Sequence, residues 1–266
     1  MKKRIIRDLL IIVVVSGGIW AVFTLFPVFK DSSIKVPIST EEKLGKTVLE
    51  QFILNNGKDK ISDKYSDSCL SVIKRRILKS VGTTNYEYNL IVVENSTVNA
   101  VALPGGYIVV FSGLIDFCDN PDELTAVIAH EIGHIEKKHV INKLIKEFSL
   151  ALITSNDKFV IGTIARIMAS TAFDRKQEEE ADKFALQTLT KSKINPRIMG
   201  SFFTRIEEKY GSDSKNIEML STHPFNNARI KASFDYPIPQ DFKEQPFDFD
   251  WKKFKSVFSS DEELEK

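Results

Sequence analysis

Cysteine is nearly absent: the 266-residue chain has two, Cys69 and Cys118. Two thiols without paired spacing exclude a disulfide scaffold and a thiolate zinc site, so two separately buried thiols are expected. An excess of one charge sign is also lacking. The formal net charge of +1 gives no support for binding nucleic acid, and no such partner is expected. Internal repeats and low-complexity blocks are missing. Histidine is scarce as well, but three of the four histidines fall within the ten residues from His130 to His139. The remaining composition, 42% hydrophobic and 27% charged, is that of an ordinary folded chain long enough to bury one good core.

Long apolar runs are lacking too, with one exception. No charged side chain occurs from Leu9 to Phe29. About 21 residues at ~1.5 Å each reach ~31 Å, enough to cross a bilayer. Ser16-Gly17-Gly18 offers a signal-peptidase site, but cleavage there would leave Ile19 to Phe23 as a naked apolar terminus, so an uncleaved signal anchor is the favoured reading. Lys2, Lys3, Arg4 and Arg7 precede the span and place the N-terminus in the cytoplasm. The expected organisation is a basic cytoplasmic segment (1–8), a transmembrane anchor (9–29), a tether (30–38), a folded domain (39–250) and a C-terminal tail (251–266). The folded domain then lies outside a bacterial inner membrane.

Within that domain, Ser39 with Glu42 reads as a capping box opening a helix to about Asn55. A second helix is expected from Asp63 to Ser80, with Leu70, Ile73, Ile77 and Val81 on one face and Lys74-Arg75-Arg76 on the solvated side. From Tyr86 to Phe111 β-formers dominate, with Pro104-Gly105-Gly106 as a turn between the last two strands. This predicts a small, mostly antiparallel sheet beside helices, an α+β fold. Asn120, Pro121 and Glu123 then give three agreeing helix-start signals. Residues 148–173 are apolar but broken by Asn156, Asp157, Lys158 and Arg166, which predicts a core helical hairpin; a lid over the site or a membrane-resting segment are the alternatives.

On the helix that begins at Asn120, His130 and His134 stand four apart and stack on one face, where they can grip one Zn²⁺. Glu131 stands beside them to take a proton from an attacking water. A charged helix face with two surface histidines would give the same five letters. His139 lies nine residues past His130 and points about 180° away on an ideal helix, so it cannot join the same ion. Lys137 and Val140 occupy the positions where the longer metzincin pattern needs Gly and His. A carboxylate from another element is therefore required. Glu178 is the candidate, because Glu178 and Asp182 share a face with Ala181, Ala185 and Leu189 while Glu179 and Glu180 can face water. On composition alone this segment also fits a solvated acidic run. Asp182 is placed to accept a hydrogen bond from the free nitrogen of a liganding imidazole.

From about Glu42 to Ile230 the chain resembles the gluzincin metallopeptidases that include the CAAX prenyl endopeptidases, the HtpX heat-shock proteases and the soluble-domain proteases of the BepA and Oma type. The pieces that carry the resemblance are Asn99-Ala100 through Leu103-Pro104-Gly105-Gly106, Gly113-Leu114, His130 to His139, Arg175 with Glu178, Ala181 and Asp182, and Ser221-Thr222-His223-Pro224 with Arg229-Ile230. Asp174 stands where Ser is usual in the family, and Val101 where an aromatic is common.

The resemblance implies a mainly helical zincin-type domain with one zinc ion per chain. It implies His130, His134 and Glu178 as ligands and Glu131 as the catalytic glutamate. His223 is then a donor to the tetrahedral oxyanion, or in a latent form an occupant of the fourth zinc position. Without the family pattern it reads as a loop histidine. Arg229 is expected either to anchor its loop through a carboxylate or simply to pack. One span rather than several favours the soluble-domain branch. The partners implied are polypeptides, bound as a strand added along Asn99, Ala100 and Val101, an exposed sheet edge. The function expected is a membrane-anchored endopeptidase for unfolded or misassembled proteins. A non-cleaving anchored binding module and a peptidase for lipid-linked substrates are the rivals.

Overall fold

The computed structural model describes residues 16, 36–56, 59–148, 153, 157–211, 218–224 and 226–258. Met1–Lys35 and Val36–Lys266 are separate units, and only the second is taken further. The expected anchor over 9–29 and the acidic end of the expected tail lie outside the described residues, apart from Ser16. Among the described residues, no helix is long and apolar enough to cross a membrane.

Helix α1 (Ile38–Asn56) starts before Ser39, so the expected capping box does not form; the Pro37 carbonyl accepts from the amides of Thr40 (2.9 Å) and Glu41 (3.1 Å) instead. Leu44, Val48 and Phe52, one turn apart, are its buried stripe. Strand β1 (Lys60–Ile61) precedes α2 (Lys64–Val81), which is capped by Asp63 accepting from Tyr65 and Ser66. The basic triplet on α2 is not uniformly solvated. Arg76 reaches the main-chain carbonyls of Ser192, Lys193 and Gln245, and Lys74 donates to the carbonyl of Tyr88.

Strands β2 (Asn89–Val93), β3 (Ala100–Leu103) and β4 (Tyr107–Phe111) join β1 in the order β1-β2-β4-β3. The two outer pairings are antiparallel and the central β2–β4 pairing is parallel, with Ile91 opposite Val109. The sheet is therefore mixed. Pro104–Gly106 forms a single 3₁₀ turn between β3 and β4, with φ of 71° at Gly105 and 90° at Gly106. A Cβ on Gly105 would meet the Glu41 and Glu42 backbone at 2.4–2.7 Å, so glycine is needed for close approach to α1 as well as for the turn.

Helices α3 (Ser112–Phe117), α4 (Pro121–Glu136), α5 (His139–Glu147), α6 (Lys158–Ser170), α7 (Arg175–Lys191), α8 (Ile198–Tyr210), α9 (Glu218–Thr222), α10 (Asn227–Phe234) and α11 (Trp251–Ser256) complete the described unit. The most extensive contact is between α4 and α7; α1 packs on α6, and α8 on α10 and α4. Of the apolar hairpin expected over 148–173, the second arm is α6, with Ile161, Ile164, Ala165 and Met168 buried. Most of the first arm lies outside the described residues. The segment from Trp251, expected as a tail, instead begins with α11, whose Phe254 is 0% exposed in the core.

Candidate metal centre

Helix α4 carries the motif, and its start is fixed by Asn120 Oδ1 accepting from the Glu123 amide (3.1 Å). Glu123 is buried and gripped by Arg205 of α8, Nη2 to Oε2 at 2.6 Å. Helix α7 begins with a reciprocal capping box between Asp174 and Gln177, so the aspartate that replaces the family's usual serine supplies an equivalent cap. The two helices come together at Gly133. A Cβ there would lie 3.1 Å from the Ala181 carbonyl oxygen and 3.2 Å from its Cα. Small residues at both positions let the backbones approach, and this brings Glu178, one turn before Asp182, against the two histidines.

His130 Nε2 and His134 Nε2 are 3.0 Å apart. Glu178 Oε2 is 3.4 Å from His130 Nε2, and Glu178 Oε1 is 3.4 Å from His134 Nε2. His223 joins them, with Nδ1 3.2 Å from His130 Nε2 and 3.0 Å from Glu178 Oε1. One donor atom from each of these four buried residues falls within 4.8 Å of all the others, a group able to hold one metal ion. Behind the group, His130 Nδ1 is 3.0 Å from Asp182 Oδ1. Arg229 donates to both Asp182 oxygens, at 2.6 and 2.7 Å, and its Nη1 is 2.8 Å from Glu178 Oε2. Between the alternatives of anchor and packing, Arg229 is an anchor.

The charge count also fits a cation. Three carboxylates, Glu131, Glu178 and Asp182, are buried here, and Arg229 is the one permanently positive side chain among the residues just named. Buried charge requires compensation, which falls to protonated imidazole where no ion is held and passes to the cation where one is. Burial would raise the Glu178 carboxyl, but His223, His130 and His134 hold it far below the usual carboxylate range. Burial would lower His130, yet Asp182 and Glu178 raise it to about 10. Burial drives His134 well down. The donor set of imidazole nitrogens and a carboxylate oxygen is one that zinc takes.

Glu131 is held differently. Its Oε2 accepts the Ala102 amide at 2.9 Å, and its Oε1 is 3.4 Å from His223 Nε2. Burial pushes its carboxyl above the ordinary value despite His223 and His130.

Asn99, Ala100 and Val101, expected at an exposed edge, are 0%, 0% and 4% exposed. Strand β3 is terminal in hydrogen-bond order, but α4 and α6 both pack against it and Glu131 of α4 takes the Ala102 amide, which corrects the expectation of an open edge. His139 corrects another. Helix α4 ends at Glu136, Lys138 adopts φ 60°, and a new helix starts at His139, so the ring turns back to place Nδ1 3.1 Å from His134 Nδ1. It stays outside the group of four, though not for the reason of an unbroken helix. Its Nε2 is 3.1 Å from Glu180 Oε2, so Glu180 does not simply face water.

Two neighbours of the site carry no signal in the sequence. Phe173 stacks on His134 with ring centroids 3.9 Å apart and planes at 25°. Met199, Phe202, Phe203 and Met219 line a narrow apolar crevice of about 10 Å³ beside His130 and Glu131. An apolar stripe on α8 reads as ordinary core until its neighbours are known.

Residues 67–234, more than half of the chain, match the sequence model of peptidase family M48. The chain is 28% identical over 189 residues to the beta-barrel assembly-enhancing protease of Yersinia pestis, covering 64% of this chain and 38% of that protein. It is 26% identical over 205 residues to the mitochondrial metalloendopeptidase OMA1 of Schizosaccharomyces pombe, with coverages of 74% and 60%. To the OMA1 of Arabidopsis thaliana it is 30% identical over 214 residues, with coverages of 73% and 44%. The chain thus spans less than two thirds of the length of each of these relatives.

Proposed function

The chain belongs to peptidase family M48, and from that premise we propose that it is a membrane-anchored zinc metalloendopeptidase acting on unfolded or misassembled polypeptides. The observation that carries this reading is the convergence of His130, His134, Glu178 and His223 donor atoms within 4.8 Å, with the Glu131 carboxylate alongside. In the reading, His130 Nε2, His134 Nε2 and a Glu178 oxygen hold one zinc ion. Zinc supplies Lewis acidity toward the scissile carbonyl and acidifies water. Glu131, its pKa raised by burial, accepts the proton of the attacking water and later passes it to the leaving amine. Asp182 orients His130 from behind.

A catalytic zinc site keeps one position open, whereas four protein donors would fill it. In this reading the described arrangement is the shut form. His223 withdraws from the ligand group on activation and then offers an N–H to the oxyanion. A cobalt or zinc spectrum identical in wild type and His223→Ala argues against that step.

Polypeptide binding by strand addition is supported by the register of β3. The Phe111 amide donates to the Asn99 carbonyl, so Ala100 and Ala102 turn their amides and carbonyls away from β4. Glu131 takes the Ala102 amide, so in this reading an added strand pairs with Ala100 and the Ala102 carbonyl. In this reading α6, which packs on β3, moves to admit the strand, which is the lid reading of that segment. Membrane attachment rests on the charge-free stretch Leu9 to Phe29, with the domain outside a bacterial inner membrane.

The test uses the unit from Val36 onward and an unfolded protein substrate, with and without chelator and with Glu131→Gln. Cleavage that stops on chelation and in the Gln variant is expected. Cleavage persisting in Glu131→Gln, or substrate bound but never cut by wild type, overturns the reading.

A further inference from the structure

We propose that His139 is a positioning residue that fixes the ring orientation and tautomer of His134, with Glu180 fixing His139 in turn; the inference rests on the metal site proposed above. The two Nδ1 atoms of His134 and His139 are 3.1 Å apart, and His139 Nε2 is 3.1 Å from Glu180 Oε2. One proton assignment satisfies every atom. With His134 presenting Nε2 to the ligand group, its proton sits on Nδ1 and is donated to the lone pair of His139 Nδ1. The His139 proton then sits on Nε2 and is donated to Glu180. The opposite assignment moves the His134 proton to Nε2, where the metal would bind.

His130 receives the same support more directly, from Asp182 at 3.0 Å. His134 is fully buried, while Glu180 is half exposed at the edge of α7. Placing an imidazole between them gives His134 an acceptor without burying another carboxylate in a centre that already holds three. The ring plane of His134 is set by Phe173 stacked on its face, and His139 fixes the rotation that stacking leaves free.

The backbone is arranged to permit this. On a continuous helix His139 would face away from the site, but the chain breaks at Lys138, in the left-handed region at φ 60°. A non-glycine residue holds that conformation only where its surroundings determine it. Here the Lys138 ammonium donates to Glu41 Oε1 at 2.9 Å and to the Tyr86 hydroxyl, and lies 4.6 Å from the Tyr86 ring centre. Glu41 is itself buried and also accepts from Tyr86. The clamp explains the position of His139, and His139 gives the clamp a consequence at the metal centre.

The experiment measures zinc affinity by chelator competition in the full chain, comparing wild type with His139→Phe and His139→Asn. Loss of an outer partner of a metal-binding His weakens metal binding by about 10–100-fold. That loss is expected for Phe, which has no acceptor, and not for Asn, whose amide oxygen can take the place of Nδ1. The cobalt-substituted absorption bands are expected to shift in the Phe variant and return in the Asn variant. Equal zinc affinity in wild type and His139→Phe overturns the proposal while leaving the metal site intact. Wild type that binds no zinc overturns both. If His139→Phe does not fold, ¹⁵N-histidine spectra of the zinc-loaded wild type decide, since there are only four histidines to assign. His139 protonated at Nε2 with a bare Nδ1 is expected, and protonation at Nδ1 overturns the relay.

Discussion

Glu131 Oε2 takes the main-chain amide of Ala102 at 2.9 Å, so the proposed general base is tied to the outward edge of β3. Glu131→Gln and Glu131→Ala therefore differ. Both are expected to lower peptide hydrolysis by about 10²-fold or more. Gln keeps an oxygen for Ala102, whereas Ala leaves a buried amide unpaired at a cost of about 1–3 kcal/mol. Chemical denaturation of the two variants checks this, and equal stability contradicts it.

The approach of α4 to α7 at Gly133 gives a second expectation. Gly133→Val places a branched side chain where even a Cβ meets Ala181 at 3.1 Å. Overpacking of this kind costs about 1–3 kcal/mol. Because Glu178 sits on α7, a fall in zinc affinity is expected together with the fall in melting temperature.

Helix α6 lies against α1 where Gln51 Cγ is 3.9 Å from the position a Cβ on Gly162 would occupy. A cysteine Sγ takes the place of that Cγ, so cysteines at 51 and 162 stand within reach of a crosslink between the two helices. Oxidised Gln51→Cys/Gly162→Cys is expected to lose cleavage of protein substrates and to regain it with reductant. Full activity of the oxidised form contradicts the requirement that α6 moves.

Burial pushes the Lys143 ammonium down to about 8. Its Nζ lies 4.4 Å from the centre of the Phe173 ring that stacks on His134. Below about pH 8 the group is charged in both folded and unfolded states, and the fold carries the full cost. Between about 8 and the unfolded value of ~10.4, the unfolded chain keeps a proton that the folded one has released, so this contribution favours folding as pH rises. Lys143→Met is expected to be most stabilising, relative to wild type, below about pH 8, with the difference shrinking toward ~10.4. Urea unfolding across that range tests it, and a pH-independent difference contradicts it.

How much the sequence disclosed depended on whether the cause was local. Asn120, Pro121 and Glu123 mark a helix start through their own backbone neighbours, and the apolar stripe around Glu178 turns it inward by helical period alone. The parallel pairing of β2 with β4 was not legible, because turn chemistry at Pro104–Gly106 fixes only the β3–β4 hairpin. Arg76 looks like one charge in a solvated triplet. Its partners are carbonyls at Ser192, Lys193 and Gln245, more than a hundred residues away, and no side-chain pattern announces a carbonyl. Helical continuity through Lys137-Lys138 predicts His139 on the far face. The αL turn there is held by Glu41 and Tyr86, which lie far off in the chain.

The Arg76 contacts and α11 bear on any attempt to shorten the protein. The family match stops at 234, but Gln245 accepts from Arg76, Phe254 fills the core, and Lys255 donates to the carbonyls of Asp116 and Cys118 just ahead of the motif helix's cap. A version trimmed to the matched boundary would uncouple the far end of the glutamate-bearing helix and the entry to the histidine-bearing one at the same time. The segment from Gln245 to Lys255 is thus a buttress for both walls of the metal centre.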